Sequence, residues 1–179
     1  MKGSGANTTG FSTYRIANSY GSNIFNGDPV KVSAGYIQRH VPTERLDGVF
    51  VGCWYVDSAD GTPKWRSYFP ASTSAQSGDY IRAHVIDDPD ATFLIQADAS
   101  VTAGQVGQNI DVSVTSGNEG STTTGQSNLF AHVSTLDTTA RAFRILGVHE
   151  TPDNGFDAFP VLEVKYNLHR DFFVTATAA

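Results

Sequence analysis

The sequence predicts an all-β protein: a compact β-barrel or sandwich of short antiparallel strands with long loops, very little helix and an extended N-terminal arm. Short apolar runs recur along the chain, and turns rich in Gly, Asp, Asn and Pro separate them. The 11 Phe, 7 Tyr and 2 Trp against 1 Met favour packing in sheets over helical bundles. No amphipathic helical pattern extends beyond about three turns. Many short strands with frequent turns are typical of barrels and sandwiches.

Size and charge narrow the classes of function. A chain of 179 residues is expected to form one domain whose core needs no disulfide or metal. The net charge is −6 and the 12 basic residues are scattered, which argues against nucleic acid as a partner. No stretch approaches the roughly 20 apolar residues of a membrane helix or resembles a signal peptide, so we expect no membrane partner and folding in a reducing cytoplasm. The single Cys53 excludes an internal disulfide and is expected to be a buried, unreactive thiol.

Residues 1–23 are rich in Gly, Ser, Thr and Asn, with an aromatic or aliphatic residue at intervals. The polar residues argue against an independent core, and the spaced aromatics argue against a plain linker. Two interpretations remain open: an arm that becomes ordered on another surface, or a first strand of the same domain. We divide the chain into this N-terminal arm (1–23) and a β domain (24–179) with loop insertions at 57–78 and 116–128.

The first half of the β domain contains several short strands. Residues 24–52 carry apolar runs folded back by Gly-Asp-Pro and Ser-Ala-Gly turns. Residues 54–56 and 64–69 flank a segment with an Asp-Gly pair, which predicts a hairpin. Residues 71–78 form a polar loop, and residues 80–86 predict the next strand.

The second half predicts further strands and one long exposed loop. Residues 92–97 contain adjacent apolar residues, which indicates a strand buried on both faces. Residues 110–114 alternate with period two, as a half-buried strand does. Residues 116–128 contain no apolar side chain and predict an exposed loop.

Helical turns are predicted at only two places, residues 101–106 and residues 137–142, the second with an aspartate that could cap it. Residues 143–148 and 161–166 predict closing strands around a Pro-Asp-Asn-Gly turn. Residues 172–174 predict a last strand.

Residues that could carry chemistry form no recognised motif. The 5 His stand at no metal-binding spacing, and Pro152 would break a zinc-binding helix beginning at His149. The Gly-Gln-Ser-Asn segment at 125–128 lacks the second glycine of a nucleophile elbow. Asp-rich segments at 57–60 and 87–90 could offer calcium ligands, although Asp beside Gly or Pro is ordinary turn chemistry. We therefore expect no metal, no cofactor and no enzymatic activity.

A family likeness lies in residues 24–52, with weaker similarity at 98–109 and 161–167. Its motifs are an apolar residue before Gly-Asp, an apolar strand, a glycine turn and a Gly-Val pair. They are carried by Ile24-Phe25-Asn26-Gly27-Asp28-Pro29-Val30, by Gly35 before Tyr36-Ile37, and by Leu46-Asp47-Gly48-Val49-Phe50-Val51-Gly52. On these motifs the chain resembles the capsid decoration (cement) proteins of tailed bacteriophages.

The resemblance implies a non-enzymatic structural virion protein. Such a protein is made in the cytoplasm of the bacterial host and sits on the capsid exterior, often as a homotrimer that bridges major capsid protein subunits. A protein that binds only the assembled shell stabilises it by mass action. Several simultaneous contacts add effective concentration.

We expect the capsid or intersubunit contacts in the N-terminal arm, because buried aromatic residues tend to anchor interfaces. The candidate contact residues are Phe11, Tyr14, Arg15, Ile16 and Tyr20. Deleting residues 1–20 is therefore expected to weaken attachment.

Two other functions remain open. A carbohydrate- or receptor-binding β module of a phage head fibre or tail would stack sugar rings on hairpin aromatics, unless these pack against each other across the hairpin. The candidates for such stacking are Trp54, Trp65, Tyr68 and Phe69. A hydrolase would need a carboxylate pair, which the many loop aspartates do not single out.

Overall fold

A computed structural model describes residues 10–42, 44–113 and 119–169. Within them it contains eleven strands in two antiparallel sheets and a short 3₁₀ helix, Ala103–Gln105, which confirms the predicted all-β class. The strands are β1 (Ser12–Ile16), β2 (Pro29–Ser33), β3 (Tyr36–Arg39), β4 (Gly48–Val56), β5 (Pro63–Arg66), β6 (Ile81–Ile86), β7 (Thr92–Gln96), β8 (Asn109–Val112), β9 (Ala131–Asp137), β10 (Phe143–Val148) and β11 (Val161–Tyr166).

The first sheet has the strand order β1-β6-β4-β2-β3. The long strand β4 pairs with β6 along one edge, and with β2 and then β5 along the other. The β4–β5 hairpin matches the sequence prediction, with Trp54 directly opposite Trp65. The sheet curls until β1 and β3 lie close together, and the backbone N–H of Arg39 donates to the Tyr20 hydroxyl at 3.2 Å. Its inward side chains, among them Phe50 and Ile81, form a buried core.

The second sheet has the order β7-β11-β10-β8-β9 and also curls on itself. A parallel bridge between Ala97 and Ala131 joins the end of β7 to the start of β9. Its core contains Ile110, Phe143 and Leu162. Leu46, just before β4, and Val49, at the start of β4, also pack into this core. Because β4 belongs to the first sheet, the two curled sheets pack together and are not separate modules.

Hydrogen bonds tie the two sheets together. The Tyr166 hydroxyl on β11 donates to the carbonyl oxygen of Ile86 at the end of β6, at 2.7 Å. Burial, followed by the nearby Asp87 carboxylate, raises the pKa of Tyr166 well above its ordinary value, so the phenol stays neutral. A parallel bridge between Leu46 and His169 adds a second link.

The N-terminal segment resolves one open alternative. Residues 12–16 form β1, which pairs antiparallel with β6 in unbroken register from Ser12 opposite Val85 to Ile16 opposite Ile81. Asp87 fixes it further, because its carboxylate accepts hydrogen bonds from the hydroxyls of Ser12 and Tyr14 at 2.9 and 2.7 Å. The arm interpretation is therefore wrong for residues 12–16, which are a first strand of the domain.

Strand β7 is where the predicted burial was wrong. The adjacent apolar residues of 92–97 suggested burial on both faces, but β7 lies at the edge of the second sheet. Phe93 and Ile95 face the core, whereas the Leu94 side chain is 56% exposed. Adjacent apolar residues therefore did not mean a central strand, since an edge strand can carry one on its outer face.

Two predictions for the segments after β8 also need correction. Residues 119–128 were expected to be an exposed loop, and residues 122–124, 126 and 128 are exposed, but the segment also folds back on the first sheet: Gly125 is buried and Asn26 bridges to Gln126. Residues 137–142 form no helical turn, because Asp137 ends β9 and accepts hydrogen bonds from the N–H groups of Thr138 and Thr139. Residues 116–118 lie outside the described residues.

Strand β8 covers only part of the predicted 110–114 and does not alternate between buried and exposed residues. Ile110, Asp111 and Val112 are all buried. The predicted turn at 101–106 is confirmed by the 3₁₀ helix, and the predicted closing strands by β10 and β11. The predicted last strand at 172–174 lies outside the described residues.

Candidate binding surface

A row of large side chains crosses the outer face of the first sheet. Strand register places Arg15 opposite Arg82, Arg82 opposite Trp54, and Trp54 opposite Trp65. Directly opposed residues project from the same face of a sheet. Four strands, β1, β6, β4 and β5, therefore present two arginines and two tryptophans side by side.

A second group lies next to this row. His84 pairs with Thr13 on one side and Gly52 on the other. Its ring contacts Phe11 edge to face at 4.7 Å between centroids, and Trp65 at 5.1 Å. Gly52 makes this possible, since a Cβ there would lie 2.8 Å from the Trp65 ring. Burial lowers the pKa of His84, so its imidazole is neutral at neutral pH.

Tyr80 organises the charged end of the surface. The guanidinium groups of Arg15 and Arg82 lie 4.1 and 4.0 Å from the centroid of the Tyr80 ring, and Arg82 also lies 4.7 Å from that of Trp54. Asp79 forms an ion pair with Arg82 at 2.8 Å, which lowers the pKa of that carboxyl. Stacking and pairing hold these long side chains in place, so less side-chain entropy is left to lose on binding.

We call this surface the aromatic–arginine platform. It consists of Phe11, Arg15, Trp54, Trp65, Tyr80, Arg82 and His84. Trp65 is 55% and Phe11 49% exposed, and Tyr80 is 38% exposed. Clustered exposed aromatic side chains mark interaction sites on soluble proteins, and Trp, Tyr and Arg dominate the energetics of protein interfaces.

An open groove of about 740 Å³ adjoins the platform. Tyr36 and Tyr80 line it, both well exposed, together with Arg15, Asn18 and Asp79. Aromatic faces beside charged and amide groups are suited to a polar ligand with flat apolar patches.

A second cavity, of about 260 Å³, opens between β7 and residues 126–129. Its walls include Phe93, Leu129 and Val164, and its rim includes Gln96. None of the residues that line it carries an ionisable side chain, so the cavity offers volume but no acid–base chemistry.

The structure separates the five predicted contact residues by strand alternation. Phe11 and Arg15 project outward and belong to the platform. Ile16 is 2% exposed and belongs to the core, so it is not accessible to a partner while β1 remains paired. Tyr14 and Tyr20 pack partly against the same core.

Of the four aromatic residues proposed for sugar stacking, two lie on the platform and two do not. Trp54 and Trp65 lie on the platform. Phe69 is fully buried, and Tyr68 stacks on Phe25 at 5.6 Å between ring centroids. Neither Phe69 nor Tyr68 is therefore free to stack on a sugar.

Buried carboxylates elsewhere have structural partners. Asp28 is fully buried, accepts from the Phe25 N–H at 2.9 Å and faces Arg39, which also pairs with Glu119 at 2.6 Å. Burial raises the pKa of Asp28, and Arg39 opposes that shift. These groups attach residue 119 of the returning loop to β3, and so explain why that loop is not free.

One arrangement of polar side chains escaped the sequence motifs. The Asp98 carboxylate contacts His132, and His132 contacts Ser134 on the same strand, β9. The order Asp, His, Ser with these spacings matches no familiar signature, and only the position of Asp98 directly after a strand could have drawn attention to it.

No group of three or more His, Cys, Asp or Glu side chains among the described residues could hold a metal ion. No helix in the described ranges is long and apolar enough to cross a membrane. Comparison with protein-family models, with curated proteins and with solved structures gives no match to this chain, so its activity has to be inferred from its own residues.

Proposed function

We propose that this chain is a structural virion protein that binds the outer surface of an assembled phage capsid and stabilises it by bridging major capsid protein subunits. The observation that supports the proposal best is the aromatic–arginine platform, where exposed aromatic rings and arginine side chains stack on one face of the first sheet. The family resemblance of residues 24–52 supplies the partner.

The platform suits a protein partner for two reasons. Its aromatic rings can bury large apolar areas at a small loss of side-chain entropy, because Phe, Tyr and Trp have few rotatable bonds. Arg15 is exposed beside Tyr80, and could pair with a carboxylate of the partner. Central aromatic and arginine side chains of this kind contribute most of the energy of many interfaces.

Residues 24–52, which carry the family resemblance, have a structural role in this proposal and do not form the contact. Ile24, Phe25 and Val30 are buried, and Gly27 adopts a positive φ of 95° at the turn. They build the sheet and its turns. Contact with the capsid is assigned to the platform, which strands β1, β4, β5 and β6 present.

The test is co-sedimentation with heads assembled from the major capsid protein of the same phage. Phe11→Ala and Trp65→Ala should each weaken binding by about 30-fold or more, because truncating a central aromatic anchor costs about 2 kcal/mol or more. Phe156→Ala is the matched control, since Phe156 is 49% exposed like Phe11 but lies in the turn between β10 and β11.

Equal capsid occupancy for wild type, Phe11→Ala and Trp65→Ala would remove the platform from the interface. Loss of binding in Phe156→Ala alone would move the contact to the second sheet. The deletion of residues 1–20 is a poor test, because it also removes β1 and the buried Ile16.

The expected homotrimer is tested separately. Size-exclusion chromatography with light scattering should give three times the 19.2 kDa mass of the chain. A mass of 19.2 kDa at all accessible concentrations would contradict a trimer free in solution.

A second candidate, a carbohydrate-binding module, is favoured by the groove between Tyr36 and Tyr80. Two exposed tyrosines beside Arg15 and Asp79 could stack a sugar ring and bind its hydroxyls. Glycan-array binding that is lost in Tyr36→Ala, without capsid co-sedimentation, would support this function over the first.

A further inference from the structure

Three side chains on the second sheet form a continuous hydrogen-bonded chain. His132 Nδ1 lies 2.6 Å from Asp98 Oδ2, and His132 Nε2 lies 2.8 Å from the hydroxyl oxygen of Ser134. The two ring nitrogens therefore have different partners, one a carboxylate and the other an alcohol.

The carboxylate fixes the direction of the hydrogen bonds. Asp98 Oδ1 accepts from the backbone N–H of Val133 at 2.7 Å, which orients the carboxyl group. An ionised carboxylate can only accept, so its bond to His132 places the imidazole proton on Nδ1. In the neutral imidazole Nε2 then carries the lone pair, and it accepts from the Ser134 hydroxyl. A base positioned this way can take the proton of a serine nucleophile.

A bulge in β9 brings the histidine and serine into this geometry. Asn109 of β8 pairs with Asp137, but Asp111, only two residues further on, pairs with His132. β9 therefore has additional residues at this point, and the Thr135 hydroxyl stabilises the irregular backbone by donating to the His132 carbonyl oxygen at 2.6 Å. Bulges re-aim side chains in this way and are frequent beside active sites.

The serine is accessible. Ser134 is exposed, and the side chains of His132 and Asp98 are 41% and 23% exposed. A small electrophile can therefore reach the hydroxyl oxygen without a conformational change.

We propose that Ser134 is an activated nucleophile that accepts acyl groups from small esters, with His132 as its general base and Asp98 as the positioning residue. This proposal does not rest on the capsid function, because the site lies on the second sheet and the platform on the first.

The reaction has two balanced halves. The Ser134 oxygen forms a bond to the ester carbonyl carbon while its proton passes to Nε2 of His132. The tetrahedral adduct then expels the alcohol, which leaves with that proton, and an acyl-serine remains. Water repeats the sequence on the acyl-serine, giving a carboxylic acid and restoring the hydroxyl. The open position of Ser134 favours small esters with good leaving groups.

The test uses the full chain with a fluorophosphonate probe, which labels activated serines, and with p-nitrophenyl acetate. Mass spectrometry should place the probe on Ser134. Ser134→Ala should abolish labelling and ester cleavage, and His132→Gln should slow both by about 100-fold, the usual contribution of a general base. Ser77→Ala, at another exposed serine, is the matched control and should react like wild type.

Asp98 needs a readout beyond stability, because it also holds the β9 backbone. Asp98→Asn should change the pH profile of probe labelling, since the charge beside His132 is removed. A purely structural role would lower the urea midpoint and leave that profile unchanged. Labelling of wild type no faster than that of Ser134→Ala, or equal rates in folded His132→Gln, would overturn the proposal.

Discussion

The buried polar residues Asp111 and Cys53 are accommodated in two different ways: the first is paired with other groups, and the second stays uncharged. Asp111 is 1% exposed, accepts from the Ala142 N–H at 2.9 Å and pairs with Arg141 at 3.2 Å. Cys53 is fully buried, as the sequence predicted, and burial raises the pKa of its thiol to about 12. A neutral thiol is a poor nucleophile, which agrees with the expected unreactive cysteine.

His40 is held in its neutral form, and this makes the stability of the fold depend on pH. It is 3% exposed, and burial lowers its pKa from 6.5 to about 4. Below pH 6.5 the unfolded chain binds a proton that the folded chain does not bind until about pH 4. The free energy of unfolding should therefore fall by about 2 kcal/mol between pH 7 and pH 5 through this residue.

Urea unfolding at both pH values checks this prediction. Other groups also titrate, among them Asp28, whose raised pKa acts in the opposite direction. The comparison is therefore between wild type and His40→Gln, which should lose less stability over the same interval. Parallel pH profiles for the two proteins would show that His40 is protonated equally in both states.

At the scale of the elements, the alternation of apolar and polar residues predicted where strands form but not which strands pair with each other. Residues 143–148 and 161–166 became strands because each carries inward apolar residues at alternate positions. Residues 92–97 were predicted to be buried on both faces from their apolar content alone, whereas a strand's place in the sheet is set by pairing between distant segments. For the same reason the sequence allowed Phe11 and Arg15 to be chosen as candidate contact residues. It did not allow us to predict that they contact His84 and Tyr80, because those contacts depend on the register of β1 and β6.

Whether β1 is an integral strand of the domain can be tested by truncating its buried and its exposed side chains. Ile16→Ala should lower the free energy of unfolding by about 3 kcal/mol, because it removes a buried side chain. Arg15→Ala, one residue earlier on the exposed face, should change it by less than about 0.5 kcal/mol. Urea denaturation measures both. Equal, small effects would restore the arm interpretation for this segment.

The packing of β4 against β6 depends on a glycine. A Cβ at Gly48 would collide with the carbonyl oxygen of Ile86 and the side chain of Val85. Gly48→Ala should therefore cost about 3 kcal/mol, whereas Gly104→Ala, with open space around it, should cost less than about 1 kcal/mol. Thermal unfolding of the two variants distinguishes them, and similar melting temperatures would contradict this close approach.

At the scale of the whole molecule, the two functions that we propose lie on different sheets. The first presents the aromatic–arginine platform, and the second carries the Asp98, His132 and Ser134 chain. The all-β class was predictable from composition and turns, because both are local properties. The two surfaces were not, because each brings together residues far apart in the chain, such as Phe11 with His84 or Asp98 with His132.

In the proposed function the aromatic–arginine platform faces the capsid. A cryo-electron microscopy reconstruction of heads saturated with the protein would show which face of the protein lies on the shell. We predict that the platform face of β1, β4, β5 and β6 lies against the shell, with the side chains of Phe11 and Trp65 buried between this protein and the major capsid protein. A reconstruction in which that face points to solvent, or in which no protein is bound, would contradict the account.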